Sequence, residues 1–232
     1  MDFIGVDLAW KKDPPLENGT ALCIMDSGGK IMKVDLVTDD DQILSNLEGR
    51  KCAWVGVDAP LIVNNDDGLR KCERSLFDRG IKVLPASRGY LTRKFGGCRG
   101  VDLAEGMARK GYSFLGAGQG CRVMIEVYPY GTLHVITGGN VPRYKRGKAD
   151  ERRRASLKLL RILREWLPVS IPKWLDEEVV AAAPSELKSV TDKIDAVISV
   201  LCVYGHWIYA GKMTKVLGDA SDGFILLPRQ VV

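Results

Sequence analysis

The sequence predicts an α/β fold in which a mixed sheet of five strands is flanked by helices. Three observations indicate this class. The first 60 residues contain four short segments rich in apolar and β-branched residues and bounded by turn residues, which is typical of strands. Later segments, one ending near Leu167 and one starting near Thr191, carry apolar residues at helical spacing. A helix precedes the fourth strand, so that strand can lie parallel beside the first.

The elements of the first 60 residues are predicted in chain order as strands and one helix. The strands cover residues 2–8, 20–25, 30–37 and 51–57, and the helix covers 40–47 with Thr38 as its cap. Prolines and an Asn-Gly pair at residues 13–19 predict a loop and a turn after the first strand. The Asp-Ser-Gly-Gly stretch at 26–29 predicts a hairpin between the second and third strands.

The rest of the chain is predicted to complete the same domain, which spans residues 1–232. Residues 61–121 form a basic, helical insertion that overhangs the end of the sheet, with helices near 68–79 and 101–110. A fifth strand follows at 122–128. Residues 143–190 are a helical segment before the final core helix, and residues 222–228 form a short strand or an extended tail.

Composition narrows the class of protein. The net charge of +5 is mildly basic, which permits a polyanionic partner without requiring one. The six scattered cysteines include no Cys-x-x-Cys pair, which argues against a zinc site and a disulfide scaffold and favours a reduced, cytoplasmic protein. Asp2 stands where the positive region of a signal peptide would begin, so no such peptide is expected. The apolar run at 194–210 is predicted as a buried helix and not as a membrane span.

Two strands end in the same tripeptide, Gly5-Val6-Asp7 and Gly56-Val57-Asp58. If these strands are neighbours, the two carboxylates emerge at the same end of the sheet, about 4.8 Å apart. Carboxylates that close cannot both stay ionised unless a cation lies between them, and hard oxygen ligands suit Mg²⁺ or Mn²⁺. A glycine inside each strand also predicts a close approach by another backbone or side chain.

Two further acids lie at related places. Glu126 ends the fifth strand, and Asp195 is expected in the first turn of the last helix, beside its apolar stripe. Each acid alone has an ordinary explanation: Asp7 and Asp58 as turn residues, Asp195 as an acid stabilised by the helix dipole, Glu126 as an edge residue. Their conjunction favours a shared metal site.

Five motifs carry a family resemblance that spans nearly the whole chain in order. They are Ile4-Gly5-Val6-Asp7, residues 56–61, residues 126–129, residues 192–196 and residues 223–228. Together they resemble the DUF429 family, whose members are classed as predicted nucleases with a ribonuclease H-like fold. The resemblance implies that Asp7, Asp58 and Asp195 are catalytic and bind metal, and that Glu126 is a further ligand or a positioning acid. It also implies hydrolysis of nucleic-acid phosphodiester bonds with two Mg²⁺ or Mn²⁺ ions. The long basic insertion departs from the simplest members of the ribonuclease H-like superfamily.

Basic residues outside the acids are candidates for binding nucleic acid, with DNA or RNA left open. They are Arg88, Arg93, Lys94, Lys145, Arg146 and Lys148. They would neutralise phosphates, or equally form a solvated basic surface. Tyr90 and Tyr144 lie among these charges and could stack on bases or simply pack.

Two alternative functions remain open. An actin-like phosphotransferase or ATPase shares the core strands and an Asp after the first strand. Such proteins need two such domains and a glycine-rich phosphate loop, where this chain has Lys11-Lys12-Asp13-Pro14-Pro15. A non-catalytic nucleic-acid-binding module of the same fold would bind in EDTA and tolerate Asp7→Asn.

Overall fold

The structure is a computed structural model that describes residues 1–11, 19–118 and 120–229. The described strands are β1 Asp2–Asp7, β2 Thr20–Asp26, β3 Ile31–Val37, β4 Ala53–Val57, β5 Ser113–Phe114, β6 Arg122–Glu126, β7 Thr214–Asp219 and β8 Gly223–Pro228. The described helices are α1 Asp40–Leu47, α2 Lys71–Phe77, α3 Arg88–Phe95, α4 Arg99–Arg109, α5 Pro129–Ile136, α6 Ala149–Trp166, α7 Trp174–Ala181 and α8 Leu187–Ile208. Except for Gly19, the predicted loop and turn at 13–19 lie outside the described residues.

The main sheet has six strands in the order β3-β2-β1-β4-β6-β5. Strand β2 is antiparallel to β1 and to β3, whereas β4 is parallel to β1 and β6 is parallel to β4. The predicted α/β class, the five predicted strands and the neighbouring positions of the first and fourth strands are confirmed. The predicted total of five strands is wrong, because the short strand β5 pairs with the outer edge of β6. Two residues are too few to show strand alternation in a sequence.

Helix α8 lies on one face of the sheet, with α5, α6 and α7 packed around it. It begins at Leu187, one turn before the predicted start near Thr191. The buried side chains of Leu187 and Val190 extend the apolar stripe of the helix towards its N-terminus. Asp195 therefore lies in the third turn and not in the first, where the helix dipole would explain an acid.

The apolar run at 194–210 forms most of α8, and its side chains from Ile194 to Val203 are buried, as predicted. Across residues 1–11, 19–118 and 120–229, no helix has both the length and the apolar character needed to cross a membrane.

The segment between β4 and β6 is part of the core and not only an overhang at the end of the sheet. Leu103 and Met107 of α4 are buried against the opposite face of the sheet, beside α1. Helix α2 packs on the β7–β8 hairpin. The expectation that this segment overhangs the end of the sheet is therefore wrong for α4, whose apolar side chains cover a face of the sheet.

One local expectation is corrected and another is confirmed. The cap of α1 is Asp39 and not Thr38, because the Asp39 carboxylate accepts a 2.8 Å hydrogen bond from the backbone N–H of Gln42. The short strand predicted at 222–228 is confirmed as β8, which pairs with β7 and is buried along its length.

Candidate functional site

Asp7 and Asp58 are placed side by side by the register of two parallel strands. Val6 of β1 pairs with Val57 of β4, and the backbone N–H of Asp58 donates a 2.8 Å hydrogen bond to the carbonyl of Val6. Each aspartate is therefore the next residue after the last register pair. Both carboxylates emerge at the carboxyl end of the sheet, as the repeated tripeptide predicts.

Glycines in the same two strands let α8 lie directly on the sheet. Gly5 and Gly56 are register partners. A Cβ atom on Gly5 would lie 2.0 Å from the carbonyl oxygen of Ala196, and one on Gly56 would lie 2.8 Å from that of Ser199. The predicted close approach is confirmed, and the approaching groups are the backbone of α8 and, at Gly56, also the side chain of Val203. This contact brings Asp195, the residue before Ala196, over the ends of β1 and β4.

The result is a group of three carboxylates. One ligand oxygen from each of Asp7, Asp58 and Asp195 lies within 4.8 Å of the others. Asp195 is buried, and the other two acids are half-buried. Among the described residues, no side chain or backbone N–H donates a hydrogen bond to the carboxylate of Asp7 or Asp58. Three converging carboxylates, two of them without such a donor, fit the hard oxygen ligand set of Mg²⁺ or Mn²⁺.

The acids perturb one another because they lie close together at a site that is partly removed from water. Burial, followed by the neighbouring charge of Asp195, raises the pKa of Asp58 to about 8. Burial also raises the pKa of Asp7 well above its usual value, although the positive charge of Lys145 opposes this rise. The group therefore resists full ionisation at neutral pH unless more positive charge arrives.

Asp195 has two partners from the loop before α6. The ammonium of Lys145 forms an ion pair with its carboxylate, and the Tyr144 hydroxyl donates a 2.6 Å hydrogen bond to Oδ1. Burial alone would lower the pKa of Lys145, but the charges of Asp195 and Asp7 raise it above its usual value. Lys145 was predicted to contact phosphate, but in this structure its ammonium is paired with Asp195. Tyr144 is buried, so packing and hydrogen bonding are its role in this structure.

Glu126 is not brought into the group of three acids. Arg70 donates two hydrogen bonds to its carboxylate, at 2.9 Å and 2.6 Å, and the backbone N–H of Leu61 donates a third at 3.0 Å. Arg70 also bonds Glu73, and all three charged side chains are buried. Because its oxygens are already occupied, Glu126 orients the chain after Asp58 and is not placed to bind a metal with the three aspartates. Sequence reasoning missed this network, since nothing near Arg70 in the sequence shows that the fold brings it to Glu126.

The remaining predicted basic residues divide into two sets. Arg88, Arg93 and Lys94 are exposed on α3, where the Lys94 ammonium donates to the Tyr90 hydroxyl at 2.8 Å. Neither these residues nor Lys148 line the cavities that open on the acids. Arg146 does line one of them.

Two cavities open on the acids from different sides. One, of about 480 Å³, lies beside Asp58 and Asp195; the other, of about 500 Å³, lies beside Asp7, and Lys145 lines both. The first is also lined by Tyr128, which the sequence pattern included only as part of the motif at 126–129, and by Tyr130, which no motif contained. The signal that could have found them is an aromatic residue on each side of Pro129, directly after a strand that ends in an acid.

Comparison with known proteins gives one result. A family model, described as protein of unknown function (DUF429), matches residues 5–222. The match includes all three aspartates. No curated protein and no solved structure matches the chain.

Proposed function

The chain belongs to the DUF429 family, whose description assigns no function, and from this premise we propose that it is a metal-dependent nuclease that hydrolyses phosphodiester bonds in nucleic acid. The observation that carries the proposal is the convergence of Asp7, Asp58 and Asp195. In ribonuclease H-like nucleases the acids lie on the first strand, on or near the fourth strand, and on a late helix. Here they come from β1, the end of β4 and α8, which supports assignment to that fold.

The three aspartates are the residues that would hold Mg²⁺ or Mn²⁺. Such ions, when bound, supply an activated water and stabilise the leaving oxygen of a phosphodiester. Asp7 and Asp58 offer oxygens that accept no hydrogen bond from the described residues, so they can bind a cation without losing a partner. Tyr144 orients Asp195 by donating to one of its oxygens.

Lys145 has a role that depends on what else is bound. Its ammonium neutralises Asp195. It also lines both cavities, so a small rotation of this long side chain would present the charge to a phosphate. The proton that burial keeps on Asp58 near neutral pH must leave before all three carboxylates can act as ligands.

Cleavage assays on a panel of substrates test the proposal. The purified protein is incubated with labelled single-stranded DNA, duplex DNA, RNA, an RNA–DNA hybrid and bis(p-nitrophenyl) phosphate, in Mg²⁺, Mn²⁺ or EDTA. We expect cleavage of at least one substrate with metal and none in EDTA. Asp7→Asn and Asp58→Asn should each reduce the rate by about 100-fold or more, which is the scale on which loss of a positioned charge acts in catalysis.

The matched control is Glu165→Gln, which removes an exposed carboxylate from α6 and should leave the rate unchanged. Circular dichroism and melting of each variant establish that it is folded. Absence of cleavage across the whole panel, or cleavage that persists in EDTA and in both asparagine variants, would refute the proposal.

One observation favours a second candidate, a non-catalytic nucleic-acid-binding module. The ion pair between Lys145 and Asp195 neutralises one acid without a metal. This candidate predicts binding that persists in EDTA, is unaffected by Asp7→Asn, and is never followed by cleavage.

A further inference from the structure

We infer that the cavity beside Asp58 and Asp195 binds one unpaired nucleotide of a single-stranded nucleic acid, with its base on the tyrosine pair Tyr128 and Tyr130. The inference rests on the proposed function and narrows its substrate class from nucleic acid in general to single strands. It depends on the shape of the cavity, on the two aromatic rings and on the cations beside them.

The cavity has the size and the location of a subsite. Its volume of about 480 Å³ lies within the range of pockets that enclose small organic ligands, about 300–1,000 Å³. Two of its lining residues, Asp58 and Asp195, belong to the acid group. A nucleotide in this cavity would therefore have its backbone phosphate next to the acids.

The aromatic rings are held at the junction between β6 and α5. Tyr128 is the N-cap residue of α5, Pro129 opens the helix with its fixed φ, and Tyr130 follows. The Tyr128 hydroxyl donates a hydrogen bond to the carbonyl of Lys82, which fixes that ring. The ring centroids of Tyr128 and Tyr130 are 6.1 Å apart and the planes are tilted by 55°. Tyr130 is 38% exposed, so a large aromatic surface is open to a ligand at the cavity.

Apart from Lys145, which is paired with Asp195, the cations of the same cavity have no carboxylate partner among the described residues. Lys82, Arg143 and Arg146 line it and are exposed. Some arginines elsewhere are already neutralised: Arg153 is paired with Asp150, and Arg164 is paired with an aspartate of α7. Unpaired cations beside aromatic rings are typical of sites that bind single strands, because bases stack on the rings and backbone phosphates pair with the cations.

Duplexes are disfavoured by the same geometry. A base can lie on a tyrosine ring only when its own face is free, whereas in a duplex each face is covered by the neighbouring base pair. The inference therefore predicts a preference for single strands, which would not follow from basic charge alone.

Binding measured without catalysis tests the inference. The probe is a 5′-fluorescein-labelled 12-residue oligothymidylate, titrated with protein in EDTA and followed by fluorescence anisotropy. Tyr130→Ala should weaken binding by about tenfold, the loss expected when one stacked base is released. Tyr130→Phe keeps the ring and should bind within about twofold of wild type. The oligothymidylate annealed to oligoadenylate should bind at least about tenfold more weakly than the single strand.

The matched control is Tyr209→Ala. Tyr209 is 37% exposed, almost as much as Tyr130, but it lies about 20 Å along the axis of α8 from Asp195. Its loss should leave binding unchanged. An oligouridylate of the same length distinguishes RNA from DNA as the preferred strand. Equal affinity for single strand and duplex, or equal affinity of wild type and Tyr130→Ala, would overturn the inference.

A second measurement does not depend on the tyrosines. The double variant Arg143→Gln, Arg146→Gln should bind less tightly at low salt. The slope of log affinity against log salt should fall by about 0.7 for each arginine that contacts phosphate. An unchanged slope would show that these cations do not face the strand.

Failure of this inference is distinguishable from failure of the proposed function. If the protein cleaves with metal but its affinity for the single strand does not depend on Tyr130, the nuclease proposal stands and the nucleotide subsite is refuted. If binding depends on Tyr130 but no substrate is cleaved, the nucleotide subsite stands and the nuclease proposal is refuted.

Discussion

The raised pKa of Asp58 predicts that the metal-free protein loses stability as the pH rises from about 4 to about 8. The carboxyl has an ordinary pKa of 3.8, and burial followed by the charge of Asp195 raises it to about 8 in the folded state. Between these values the folded protein binds more protons than the unfolded chain. The free energy of unfolding therefore falls with rising pH across this window, and the loss is complete above the folded pKa.

The size of the effect follows from the pKa difference. A difference of about four corresponds to about 5–6 kcal/mol. Asp58 is only half-buried, so water screens its charge, and we expect about 1–3 kcal/mol. Asp58→Asn removes the charge without breaking a hydrogen bond from any described residue. In EDTA at pH 8 the variant should therefore be more stable than wild type by about 1–3 kcal/mol.

Urea denaturation in EDTA at pH 5, 6, 7 and 8 checks this prediction, with Glu165→Gln as the matched control. The difference between the two proteins should be smallest at pH 5 and should grow towards pH 8, and the variant should retain a shallower slope because Asp7 still titrates. Saturating Mn²⁺ should offset most or all of this difference, since a ligand at 100 times its Kd stabilises the folded wild type by about 2.7 kcal/mol. A variant that is no more stable than wild type at pH 8 in EDTA would refute the reasoning.

Three further predictions concern the residues that build the site. Gly5→Ala should destabilise the protein by about 3 kcal/mol or more, because the added Cβ would lie 2.0 Å from a carbonyl oxygen of α8. In the control Gly97→Ala, the added Cβ meets nothing within 4 Å, so stability should change little; thermal melting measures both variants. Arg70→Met should cost about 3–5 kcal/mol in urea denaturation, because it leaves buried Glu126 unpaired, and the double variant with Glu126→Met should lose less than the sum of the two single variants. Lys145→Met should bind Mn²⁺ about tenfold more tightly by calorimetry, because the ammonium no longer competes for Asp195; weaker binding would contradict that competition.

Local patterns in the sequence were sufficient to predict the five strands and the proximity of two of the acids, Asp7 and Asp58. Each of the five predicted strands is an apolar run bounded by turn residues, and such a pattern depends only on residues adjacent in the chain. The repeated Gly-Val-Asp tripeptide also carried long-range information. Identical spacing in two parallel neighbours aligns Gly5 with Gly56 and leaves Asp7 beside Asp58.

The same local reasoning failed where an element end or a partner was set by packing. The start of α8 depended on whether Leu187 and Val190 were buried, which no neighbouring residue reveals. Glu126 ends its strand as the aspartates do, but its role was set by Arg70, a residue 56 positions earlier that only the fold brings to it.

The sequence by itself determined the α/β class, the neighbouring positions of the first and fourth strands and the convergence of Asp7 and Asp58, because strand periodicity and register repeat along the chain. Only the tertiary structure decided which side chains surround the acids: Lys145 and Tyr144 on Asp195, and the tyrosine pair beside it. Those contacts join segments that are far apart in sequence, and their geometry follows from how α5, the loop before α6 and α8 pack on the sheet.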